Sequence, residues 1–163
     1  MNSNSEILLK INFDGEKCYH TFPIELSKLR LLENKNLEKN IKIIASELIQ
    51  NNFIHNHYKK SLLKIEKTSN SIMIDFVFDM DITECKRLGE KIEIINNYSD
   101  DELTIIKKNN LISKNLDENR PKTGNGLIIC KLKTKNKIDF FYKTDNLVQK
   151  IANCKITLKI DNL

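Results

Sequence analysis

Glu47, Asn51 and His55 recur every four residues in the segment ELIQNNFIH, residues 47–55. If that segment is helical, the three side chains share one stripe of it. A carboxylate one turn from a carboxamide suits phosphoryl transfer. The amide oxygen can complete the octahedral shell of a Mg2+ that bridges phosphate oxygens, while the carboxylate orients or deprotonates an attacking hydroxyl. The same spacing is common on solvated helix faces, so the pair gains meaning only beside a second constellation. That second constellation is Gly124-Asn125-Gly126-Leu127. Glycines there permit positive φ and close approach of backbone to a ligand, and the first free amides of a following helix attract phosphate. The loop lacks the GK[ST] ending of a P-loop and follows no predicted strand, which excludes both that motif and the dinucleotide fingerprint.

These residues must be positioned by the elements around them. Residues 37–56 carry apolar side chains at Leu37, Ile41, Ile44 and Leu48, with Ile54 on the flank, at three- and four-residue steps. This spacing predicts a long amphipathic helix bearing the Glu47 stripe. Residues 6–13 read as a strand stopping at Asp14-Gly15, and Pro23 to Glu33 as a short helix. Residues 62–67 and 71–78 alternate as a hairpin around Thr68-Ser69-Asn70. Two helices follow, over 83–97 and from Ser99 to about Leu116. The second opens on a capping box, in which Ser99 and Glu102 each satisfy a free backbone amide. A polar stretch over 117–123 leads into the glycine loop and the apolar run Leu127–Leu132, and strands over 138–142 and 152–160 finish the chain. The order predicts an α+β two-layer sandwich, helices on one face of a mixed or antiparallel sheet, as one domain over 1–163.

Composition narrows the function classes. Of 163 residues, 27 are Lys or Arg and 22 are Asp or Glu, giving a formal charge of +5. Lys numbers 24, Ile 24 and Asn 21, against 3 Arg and no Trp, a bias of the kind A/T-rich codons leave. Residues 131–163 hold 8 basic and 3 acidic side chains, so the whole surplus sits in the last fifth of the chain, starting at Lys131, Lys133, Lys135 and Lys137. Lysines at a helix C-terminus complement its dipole. Without clustered Arg and stacking aromatics, charge alone makes a weak case for nucleic acid. No run approaches the ~18–20 apolar residues of a membrane span, and the N-terminus lacks a signal-peptide pattern, so the chain reads as cytoplasmic. Cys18, Cys85, Cys130 and Cys154 form no CxxC pair and read as small apolar thiols.

Taken together, Glu47, Gln50, Asn51 and His55 as an N-box, followed in order by Gly124-Asn125-Gly126-Leu127 as a glycine box, resemble the histidine-kinase-like (GHKL, or Bergerat) ATPase superfamily. Within it the chain is similar to SiaB-type bacterial protein kinases, in the Glu-x-x-Gln-Asn-x-x-x-His form of the N-box and in its small size. The resemblance implies an ATP- and Mg2+-dependent Ser/Thr kinase acting on a small signalling protein of the anti-sigma-antagonist kind, and it leaves room for a homodimer. Carried over, Glu47 is the general base and Asn51 the Mg2+ ligand. His55 lies near the phosphates or the helix end, and Gly124, Asn125, Gly126 and Leu127 cradle the phosphates; Lys59 and Lys60, just beyond the helix, read first as solvated lysines capping its C-terminus and only second as added positive charge. The superfamily places an adenine-binding Asp in a glycine-rich box after the strand corresponding to 71–78; here Asp79 or Asp81 stands there, with no glycine before Gly89. That departure supports an alternative, a catalytically inactive member that binds and sequesters a regulatory protein.

Overall fold

The alternation of residues 71–81 builds the centre of the protein. In the computed structural model, which describes residues 5–31, 34–56, 60–116, 124–146 and 150–161, five strands run β1 (Glu6–Phe13), β2 (Ser61–Lys67), β3 (Ser71–Asp81), β4 (Asp139–Asn146) and β5 (Ile151–Asp161). They lie in the order β1-β2-β3-β5-β4 with every pairing antiparallel, so the sheet is not mixed. Ile72, Ile74, Phe76, Phe78 and Met80 of β3 are buried, as are Ala152, Cys154, Ile156, Leu158 and Ile160 of β5. The intervening positions form the opposite, polar face. There Asp75 accepts from Thr157 Oγ1 at 2.7 Å and pairs with Lys155 at 2.8 Å. The β2–β3 hairpin closes where expected, with the Thr68 amide donating to the Ser71 carbonyl at 2.8 Å.

Among the described residues there are five helices, α1 (Glu16–Ser27), α2 (Lys35–Asn56), α3 (Ile82–Asn97), α4 (Asp100–Leu116) and α5 (Gly126–Thr134), of which α1, α2, α3 and α5 pack on the sheet and α4 packs on α5. The first departs from expectation. It starts directly after Gly15, whose φ of 86° ends β1, and contains Pro23 instead of beginning there. Its inner face is carried by Tyr19 and Leu26, and Leu29 is buried just beyond its end. In α2, Ile41, Ile44, Ala45, Leu48, Ile49 and Asn52 are buried at three- and four-residue steps, the stripe that holds this helix on the sheet.

The capping box forms. Ser99 Oγ accepts from the Glu102 amide at 3.3 Å and the Glu102 carboxylate accepts from the Ser99 amide at 2.8 Å. We expect Ser99→Ala to cost about 1 kcal/mol, read as a Tm lowered by about 2–4 °C in thermal unfolding. The C-terminal lysine surplus also finds its place: Lys131 and Lys133 lie in the last turn of α5, and Lys135 just beyond it donates to Asp100 at the start of α4 at 2.6 Å. That bond holds the Asp100 carboxyl below its ordinary range. Among the described residues no helix is long and apolar enough to cross a membrane.

Candidate functional site

Glu47 and Asn51 lie one turn apart on the flank of α2, half-buried beside its apolar stripe. The rotation of this flank is set by Asn52. Its buried side chain donates to Tyr19 Oη at 2.5 Å and Ser61 Oγ at 3.3 Å, tying α2 to α1 and β2. Across the flank runs α5, whose first residue is Gly126. A methyl built on Gly126 would overlap Asn51 Nδ2 and lie 2.9 Å from Glu47 Oε2, so the backbone of the glycine box rests directly on the carboxylate and carboxamide. One turn later, Cys130 Sγ lies 4.0 Å from the Ile44 carbonyl oxygen. Small residues at 126 and 130 are what let the two helices approach this closely. Burial, and secondarily the Glu47 charge, push the Cys130 thiol up, so it stays protonated and does not act as a nucleophile.

Beside this junction opens a cavity of about 190 Å³. Its apolar lining comes from three helices and two strands: Leu48 of α2, Phe76, Phe78 and Met80 of β3, Leu88 of α3, Leu127 of α5 and Ile156 of β5. The Phe76 and Phe78 rings lie 5.3 Å apart, tilted by 32°. Asn51 and Gly124 line the same cavity, so an apolar floor leads to a polar mouth.

The sequence-predicted residues divide into those brought together and those placed elsewhere. Asn51, Gly124 and Leu127 line the cavity, and Gly126 meets Asn51 and Glu47, but Glu47 itself borders a separate groove beside Lys39, Lys42 and Ser46. Gly124 has a φ of 62°, which favours glycine, whereas at Gly126 it is space that requires it. Asn125 is buried behind the loop, accepting from Asn110 Nδ2 at 2.8 Å and donating to the Lys107 carbonyl at 3.3 Å, so it anchors the glycines to α4. Strand parity puts Asp79 on the polar face of the sheet, where it accepts from Asn153 Nδ2 at 2.9 Å. Asp81 caps α3 by accepting from the Thr83 amide at 2.7 Å, a bond that lowers its carboxyl pKa. Neither aspartate lines the cavity, because both alternate with Phe78 and Met80, which do. Gln50 is exposed. Lys60 pairs with Asp14 at 3.7 Å instead of facing the cavity. The His55 side chain, Lys59 and the polar stretch 117–123 lie outside the described residues.

Sequence reasoning missed three charged residues that do line the cavity, Glu84, Arg87 and Lys91 of α3. Their spacing, with Leu88 between them, is that of one helix face. The signal was present without a reason to prefer it over a solvated stripe.

Among the described residues no group of three His, Cys, Asp or Glu side chains is placed to hold a metal ion. The oxygen donors at the junction, one carboxylate and one carboxamide, nonetheless suit Mg2+, which keeps several waters and relies on substrate phosphates for much of its shell.

Compared with solved structures, the chain superposes on one in the crystal structure of the SiaB–SiaC complex from Pseudomonas aeruginosa, with a TM-score of 0.76 at 14% identity. The match covers 94% of this chain and 91% of that one. The fold is SiaB-like. No protein-family model and no curated protein matches the sequence. The SiaB-like fold accounts for the α+β sandwich and for the chain order that carries Glu47, then Gly126, to one junction.

Proposed function

We propose that this chain is an ATP- and Mg2+-dependent Ser/Thr protein kinase of the histidine-kinase-like ATPase superfamily, acting on a small regulatory protein of the anti-sigma-antagonist kind. The observation that carries the reading is the seating of the Gly126 backbone on Asn51 and Glu47, with Asn51 also lining the adjacent apolar cavity. At about 190 Å³ the cavity is smaller than the ~300–1,000 Å³ of pockets that enclose a whole ligand, which suits a base held inside and phosphates at the mouth. The structural neighbour, solved as a complex with a protein partner, supports a partner-binding role.

In this reading Asn51 would hold Mg2+, which when bound would supply neutralisation of the phosphate charge. Glu47 orients the partner's hydroxyl and accepts its proton as the new P–O bond forms and the bond to the β–γ bridging oxygen breaks, leaving ADP. Gly124 and Gly126 let backbone approach the phosphates, and the apolar floor excludes water from the base.

A second reading, a partner-sequestering protein without turnover, draws on Asp79 and Asp81 lying off the cavity. Thermal shift with ATP, with and without Mg2+, separates the two. We expect a Mg2+-dependent stabilisation of about 2.7 kcal/mol at a ligand concentration of 100 Kd. It should vanish in Asn51→Ala. No shift at millimolar nucleotide removes the kinase reading and leaves the sequestering one.

A further inference from the structure

The wall of the cavity opposite Asn51 is built by α3, and the charge it carries has no part in the mechanism above. Glu84 and Arg87 pair with each other at 2.6 Å, one turn into the helix. Lys91, one turn further, has no ion-pair partner among the described residues. Its ammonium lies 3.5 Å from where a Cβ on Gly124 would stand, so it reaches across the mouth to the glycine loop. Asn51, Gly124 and Lys91 thus line the same cavity as the charged face of α3. Of the described charged side chains lining the cavity, Glu84 is balanced by Arg87, so Lys91 supplies its one net positive charge, and removing it would leave the lining neutral toward a polyanion.

We propose that Lys91, with Arg87 behind it, binds the terminal phosphates of the nucleotide and makes the site selective for a nucleoside triphosphate over the monophosphate. The inference rests on the nucleotide reading of the cavity. A flexible ammonium suits this task, because it follows the phosphate chain as a point charge while Arg87 pairs with Glu84. AMP lacks the β- and γ-phosphates that Lys91 would meet, so it loses little when the ammonium is removed.

Calorimetric titration of the whole chain with ATP and with AMP, at fixed Mg2+, tests it. In Lys91→Met, ATP affinity should fall about tenfold and AMP affinity less than about twofold, the loss expected for one hydrogen bond to a charged group. Lys86→Met removes the same charge from an exposed position of α3 that does not line the cavity, and should leave both affinities unchanged. An ATP/AMP ratio in Lys91→Met equal to that of the unaltered protein overturns the inference alone, as does an equal loss in Lys86→Met. Failure of the unaltered protein to bind either nucleotide overturns the reading of the cavity and this inference with it.

Discussion

Glu47→Gln is expected to lower phosphoryl transfer to the partner protein by about 10²–10⁴-fold, the range for loss of a general base, while nucleotide affinity changes little. The amide keeps the volume of the carboxylate where Glu47 lies against Gly126, so the α2–α5 packing is preserved and the loss is chemical. It retains a hydrogen-bonding oxygen that can orient a hydroxyl but has no basic site to take the proton. Radiolabel transfer from the ATP γ-phosphate reads turnover, and calorimetry on the same sample reads binding. Turnover at the unaltered rate would remove the carboxylate from the mechanism; parallel loss of binding and turnover would make Glu47 a structural support for the glycine box. The contrast with Asn51→Ala is informative, because that change is expected to weaken binding and transfer together.

What the sequence revealed was whatever local spacing determines. The α2 stripe, the hairpin at residues 68–71 and the Ser99–Glu102 box depend on neighbours within a few residues, and each lies where its pattern placed it. The helix after β1 was misplaced because Pro23 resembles a helix start, yet Gly15 at φ 86° sets the true beginning and burial of Tyr19 and Leu26 outweighs the proline. The placement of Asp79 and Asp81 was legible in principle. If Phe76 and Phe78 face the core, strand parity puts residues 79 and 81 on the other face. The cationic wall was not legible, because Arg87 and Lys91 face a cavity only once α3 has packed over β3 and β5 beside α5. Cys85 and Cys154 make the same point: 69 residues apart in the chain, they lie with their sulfurs 3.1 Å apart between α3 and β5.

Gly126→Ala is the most demanding test of the junction, because the added methyl forces the Asn51 and Glu47 side chains or α5 itself to shift. It would overlap Asn51 Nδ2 and stand 3.1 Å from Asn51 Cγ, on a half-buried side chain flanked by the buried Leu48 and Asn52. Alanine improves helix propensity by at most about 1 kcal/mol, less at a first helical position, whereas overpacking costs about 1–3 kcal/mol. Overpacking therefore wins, and the net loss should lower Tm by a few degrees at this chain length. Function should suffer more than stability. Relief comes either from Asn51 swinging out of the junction or from α5 lifting off α2, and each separates the glycine box from the N-box pair, so the Mg2+–ATP thermal shift should disappear. A double substitution tells which side yields. Asn51→Ala in the Gly126→Ala background removes the amide the methyl would strike, so most of the lost stability should return while the nucleotide response stays absent, a non-additivity that requires direct contact. Full additivity of the two stability changes would mean the helices separate without regard to Asn51, and the glycine at 126 would then owe its place to the turn before α5 and not to the carboxamide beneath it.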